Sequence, residues 1–227
     1  MTTNLPRIDY YFDVISPYSY IGFETLQQLQ HQWNGVEIRY IPFALANVMK
    51  ESGNKPPGAL SVRWDMMMID LKRSAKFLDI PLTPNPFFMK WIRQYRSTDA
   101  MKILLVLEER DPELMERTAR EMWHRVWSRS EKIFEYSDFV EIMNAVGIQD
   151  IEEVIETSKE EKYQIALERN TEYCTRRNAY GAPWINVTTT DGAEHSFFGS
   201  DRFHLIADLL NQPQPLPQRL FQLESRI

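Results

Sequence analysis

Along this chain the apolar positions switch between a strand spacing and a helical one. From Ile8 to Val14 ("IDYYFDV") aromatic and β-branched residues crowd together, the mark of a short strand bounded by Ser-Pro. Directly after it, apolar residues at Tyr18, Ile21, Leu26 and Leu29 recur at helical intervals to about Trp33. Pro17 suits the first helical position, where its missing N–H removes no bond, and Ser16 suits the cap before it. Asn34-Gly35 stops the helix, and Val36 to Phe43 ("VEIRYIPF") alternates as a second strand. Strand, helix and strand at this spacing predict a βαβ unit with a parallel pair.

The stretch "ALANVMKESGNKPPGAL" then reads as a long polar loop carrying Gly and Pro. From Val62 to about Tyr180 the spacing is helical almost throughout, interrupted by Pro81, Pro84, Pro86, Pro112 and Gly147. Within it the run Met66 to Met68 reads as packing around a core or groove, and no metal site is expected. At Gly181 the strand spacing returns. "PWINVTTTDGAEHSFFG" predicts two antiparallel strands joined at Asp191-Gly192, and "SDRFHLIADLLN" a last helix capped by Ser200 with an acidic first turn. The proline-rich "QPQPLPQRL" reads as extended surface chain. The order β-α-β, helical insertion, β-β-α predicts an α/β fold. It is a thioredoxin-like βαβ…ββα domain built from 1–44 and 181–227, with an all-helical domain, 45–180, inserted.

Composition narrows the function. The 227 residues carry a net charge of -6, which argues against a nucleic-acid binder. No apolar run approaches the roughly 18 residues of a membrane span. The opening "MTTNLPRIDY" has neither an apolar core nor an Arg-rich amphipathic pattern, so no N-terminal address is expected. Cys174 is the only cysteine, so the chain has no internal disulfide and no CxxC pair, which excludes a dithiol oxidoreductase. Any thiol chemistry must use a thiol that the protein does not own. Cys174 itself, in "TEYCTRRNAYG", reads as a buried small residue. The final "SRI" is similar to the Ser-Lys-Leu peroxisomal address.

In this topology the first helix aims its N-terminus at the substrate, and its free N–H groups favour an anion. A cysteine at the cap would have its own thiol pKa lowered there. Here the position is Ser16, with Ser19 where a second cysteine would stand. A serine hydroxyl is no redox group, but it can donate a hydrogen bond to a guest thiolate. Read alone, Ser16-Pro17 is also an ordinary helix start. Pro183 in "YGAPW" precedes a strand, where a cis-proline would present the Ala182 backbone to an extended peptide; a trans proline that merely ends a helix fits as well. Ser200 and Asp201 in "FFGSDR" offer a second helix start for a carboxylate and a carboxyl for an ammonium, or simply a cap.

Taken together, "DVISPYSYIGFE", "SGNKPPG", "RVWSR", "YGAPWINV" and "FFGSDR" resemble the kappa-class glutathione transferases. That family is related to the 2-hydroxychromene-2-carboxylate isomerases and shares the thioredoxin-like fold. The resemblance runs from about Ile8 to the tail. It implies that Ser16 hydrogen-bonds the glutathione sulfur and that Pro17 and Tyr18 line the thiol site. It further implies that Asn54 and Lys55 reach the cleft, and that Ala182 offers its backbone beside a cis-Pro183. Ser200 and Asp201 would take the γ-glutamyl end. Reduced glutathione would be the co-substrate, with no prosthetic group, and small electrophiles such as aryl halides or peroxides the partners. A homodimer and a peroxisomal or mitochondrial location are also implied. Ala182, Trp184 and Tyr20 depart from the family's usual residues, which bears on the second-substrate pocket. The alternatives are a glutathione-dependent isomerase of the chromene-carboxylate type and a non-enzymatic thiol- or peptide-binding assembly protein.

Overall fold

In the computed structural model, which describes residues 5–215, four strands form one mixed sheet: β1 (Arg7–Phe12), β2 (Glu37–Pro42), β3 (Trp184–Thr188) and β4 (Glu194–Phe198). Their order is β2-β1-β3-β4, with β1 parallel to β2 and antiparallel to β3, and β3 antiparallel to β4. The helix α1 (Pro17–Gln30) bridges the parallel pair. β1 lies inside the sheet with core side chains packed on both of its faces, so its "IDYYF" run is buried throughout, whereas the edge strand β4 is exposed and polar over its first half.

Side chains alternate across β1. Ile8, Tyr10 and Phe12 join the main core, and Tyr11 faces the other way, against Phe43, Val48, Cys174, Ala179 and Trp184. The Tyr10 hydroxyl donates to the Ser19 carbonyl at 2.7 Å, directly beneath α1. Gly22 permits that approach, since a Cβ there would lie 2.3 Å from the Tyr10 oxygen.

The helical segment contains α2 (Leu45–Ser52), α3 (Ser61–Leu78), α4 (Phe88–Gln94), α5 (Thr98–Arg110) and α6 (Pro112–His124). A π-helical turn, Arg125–Arg129, leads to α7 (Tyr136–Val146), α8 (Ile151–Thr157) and α9 (Glu161–Thr175). Its centre is α5, whose "ILLVL" run is wholly buried. The segment shares a core with the sheet. Trp123 of α6 stacks on Tyr20 of α1 at 5.6 Å and packs on Phe12 and Phe23 at 5.2 and 5.0 Å. On the opposite sheet face α9 contributes Tyr173, stacked on Tyr11 at 5.4 Å, and the buried Cys174.

Two expectations need correction. Residues 45–52 form a helix rather than loop: Val48 anchors it in the core, its first N–H is satisfied by a distant carboxylate, and Gly53 at φ 71° ends it. A helix this short with one buried residue leaves little periodicity. The last helix, α10 (Phe203–Leu209), starts later than expected. Arg202 holds its cap position, and Ser200 lies in the turn, because Gly199 at φ 103° swings the chain out of β4 first. The methionine run divides, with Met67 buried and Met66 exposed. The terminal "SRI" and most of the proline-rich tail lie outside the described residues. Among the described residues no helix is long and apolar enough to cross a membrane.

Candidate active site

The chain passes from β1 to α1 through four residues, Asp13 to Ser16. The Ser16 N–H donates to the Asp13 carbonyl at 2.9 Å, closing a turn. Ser16 is extended (φ -85°, ψ 118°), as a cap residue must be, and its Oγ accepts the Ser19 N–H at 3.0 Å. Pro17 follows, buried, at the first helical position. The cap bond uses a lone pair of Oγ and leaves its proton to donate elsewhere. It goes to the Ala182 carbonyl at 3.4 Å, the long and weak end of the range. The Ala182–Pro183 peptide bond is cis. The Pro183 carbonyl in turn accepts the Gly199 N–H at 3.1 Å, so the end of β4 is tied to the same turn.

Tyr18 extends from the first turn of α1 to α3, where its hydroxyl donates to Asp70 at 3.0 Å. Burial raises the phenol far above its ordinary value; the Asp70 and Asp201 carboxylates add to this, so the ring stays neutral. Asp201 folds back over Gly199, where a Cβ would come within 2.7 Å of its Oδ1, and pairs with Arg202 at 2.5 Å. Asn54 reaches the site from another direction. Its Nδ2 donates to the Tyr180 carbonyl at 2.7 Å, two residues before Ala182, and its Oδ1 accepts the Lys55 N–H at 2.8 Å. The Lys55 side chain is exposed, and Ser200 is half-buried.

The structure thus brings Ser16, Pro17, Tyr18, Ala182 and Pro183 together, with Asp201 within electrostatic reach of Tyr18 and Asn54 tied to the chain leading into the turn. Cys174 lies in the cluster on the other face of the sheet, and burial pushes its thiol well up. Among the described residues no cluster of His, Cys, Asp and Glu is placed to hold a metal ion.

Comparison with known proteins shows the family and the fold. The family described as "DSBA-like thioredoxin domain" matches residues 7–211. A glutathione S-transferase kappa 1 of Caenorhabditis elegans is 67% identical over 98% of this chain and 99% of its own length. The chain belongs to the kappa-class glutathione transferases. The human glutathione S-transferase kappa 1 is 36% identical over 92% of each chain. A solved 2-hydroxychromene-2-carboxylate isomerase shares the fold, with a TM-score of 0.74 at 20% identity over 97% of this chain and 98% of its own.

Two carboxylates at this kappa-class site escape a reading of the sequence. Asp70 sits inside the charged run of α3, with nothing local to mark it. Asp13 is wholly buried, and burial pushes its carboxyl up to about 6 against the pull of three hydrogen bonds. Its only local mark is an acid closing an aromatic strand three residues before Ser16.

Proposed function

We propose that reduced glutathione binds where α1, α3 and the Ala182–Pro183 turn meet, and that Ser16 holds its sulfur as the thiolate. The observation that carries this reading is the weakly engaged Ser16 hydroxyl, 3.4 Å from the Ala182 carbonyl, at the N-terminus of a fourteen-residue helix. Turning that proton from the carbonyl to a sulfur anion gives up little. The helix end adds roughly 0.3–2 kcal/mol in favour of the anion. A thiol whose pKa of about 8.5 falls by about two gains roughly 2.7 kcal/mol of thiolate stabilisation, within reach of the two effects together. The thiolate sulfur then bonds to an electrophilic carbon, and a leaving group such as halide departs with its electron pair.

The remaining residues have binding roles. Pro17 and Tyr18 line the sulfur, and the Ala182 backbone pairs with the cysteinyl residue beside Pro183. Asn54 and Lys55 come from the α2–α3 loop, Ser200 takes the γ-glutamyl carboxylate and Asp201 its ammonium. Aryl halides are the first substrate class and peroxides the second. A homodimer and delivery to the peroxisome through "SRI", or to mitochondria, complete the proposal. Sedimentation tests the dimer, and imaging after deletion of Ser225 to Ile227 tests the address.

The test of the site is Ser16→Ala. The fold should persist, and the pH midpoint of thiolate formation, followed by the ultraviolet absorbance of bound glutathione, should rise. An unchanged midpoint sinks the role of Ser16. Turnover of a hydroxychromene carboxylate, with none of aryl halides, would favour the isomerase instead. Calorimetry that detects a cysteine-bearing peptide but no glutathione would favour a binding protein.

A further inference from the structure

We propose that Asp13 is the positioning residue of this site: its buried carboxylate locks the Ser16 turn, the start of α2 and the start of α5 into one frame. The inference rests on the role given to Ser16 above. The turn into α1 is closed by the Asp13 backbone carbonyl, which any residue would supply. The side chain is therefore left for other partners. Oδ1 accepts the Ile15 N–H at 3.1 Å, and Oδ2 accepts the Leu45 N–H at 3.0 Å and the Ser97 hydroxyl at 2.8 Å.

Each donor belongs to a different element. Leu45 opens α2, and Asp13 Oδ2 satisfies an N–H there that has no side-chain cap. Ser97 sits at the cap position of α5, yet its hydroxyl caps no N–H of that helix and turns to Asp13 instead. A buried carboxylate is costly unless its oxygens are satisfied, so its presence with three donors fixes geometry that an apolar residue would leave loose. The lever is α2. Eight residues long, it spans about 12 Å, so a tilt of about 5° at Leu45 moves the Asn54 end by about 1 Å. A displacement of that size can cost on the order of a hundredfold in rate.

The sign of one measurement separates positioning from charge. Were Asp13 only a nearby anion, removing its charge would favour a second anion, and Asp13→Asn would lower the pH midpoint of bound glutathione. Positioning predicts the reverse. The midpoint should rise by roughly one pH unit, with a several-fold rise in KM for glutathione, because both Ser16 and Asn54 lose their frame. Ser97→Ala keeps the charge and removes one donor, so it should shift both quantities part-way, and Ser97→Thr, which keeps the hydroxyl, should restore them. If Asp13→Asn fails to fold, the Ser97 pair decides. A lowered midpoint in Asp13→Asn, or an unchanged midpoint and KM in Ser97→Ala, overturns the proposal. Ser16→Ala measured alongside separates the two readings: an unmoved midpoint there removes the Ser16 role, while the KM of the Ser97 variants still decides on Asp13.

Discussion

Asn54 Nδ2 and the Tyr180 carbonyl meet at 2.7 Å across 126 positions of sequence, and this contact joins the α2–α3 loop to the chain entering β3. Both ends of the amide are used, since Oδ1 holds the Lys55 N–H within the loop. Asn54→Ala should release the loop while costing only about 1 kcal/mol of stability, because the site is half-exposed. KM for glutathione should rise several-fold with a smaller change in kcat. Asn54→Asp keeps the acceptor and loses the donor, so it should share the KM defect. Steady-state kinetics with glutathione varied would settle it, and a wild-type KM in both variants would refute it.

The Tyr18–Asp70 bond carries a similar expectation for the other wall of the site. It joins the first turn of α1 to α3 at 3.0 Å, and the phenol is held neutral by burial and by the two carboxylates nearby. Tyr18→Phe should therefore weaken glutathione binding by loosening α3, at a stability cost of about 1 kcal/mol. It should not move either limb of the pH–rate profile, because Tyr18 does not titrate in the working range. A shifted limb would mean that the hydroxyl takes part in proton transfer.

The parts of this site that the sequence makes legible are the local ones. Ser16 and Pro17 announce a helix start because a cap and its helix are neighbours in the chain, and the structure places Ser16 Oγ on the Ser19 N–H. The strands were readable because aromatic and β-branched residues crowd into β1, whose two faces are both buried. Asp13 was not, since two of its partners lie 32 and 84 positions away and nothing near it predicts them. α2 leaves no local signal for a related reason: a distant carboxylate satisfies its first N–H, and its closing glycine looks like loop punctuation. Ser200-Asp201 has the composition of a cap, but the left-handed Gly199 before it delays the helix to Phe203.

Asp13 also sets a pH dependence of stability with a definite sign. Its carboxyl is pushed from 3.8 up to about 6 in the folded chain, mainly by burial. Between these values the folded chain binds more protons than the unfolded one, so stability falls as pH rises. The contribution is complete below about 4 and is lost as pH passes through about 6, a difference of about 3 kcal/mol at most. Other carboxylates are common to wild type and variant, so the comparison isolates Asp13. The stability of wild type minus that of Asp13→Asn, from denaturant unfolding, should decline between about pH 4 and pH 7. A flat difference, or one that increases with pH, would contradict the assignment.

Trp123 is the residue on which the sheet and the helical segment most visibly depend together. It is fully buried on α6, stacked on Tyr20 and packed against Phe12 and Phe23, so one ring touches both β1 and α1. Tyr20 lies one turn beyond Ser16 on α1. Removing the ring leaves a large cavity that close-packed neighbours fill only in part. Trp123→Ala should therefore cost about 3–5 kcal/mol, and Trp123→Phe less, since an aromatic face remains for Tyr20. Because the cavity opens beneath α1, the alanine variant should also raise KM for glutathione at temperatures where it is still folded. If stability falls as expected but KM holds, the Ser16 turn is anchored from the Asp13 side alone and α1 moves as a rigid piece.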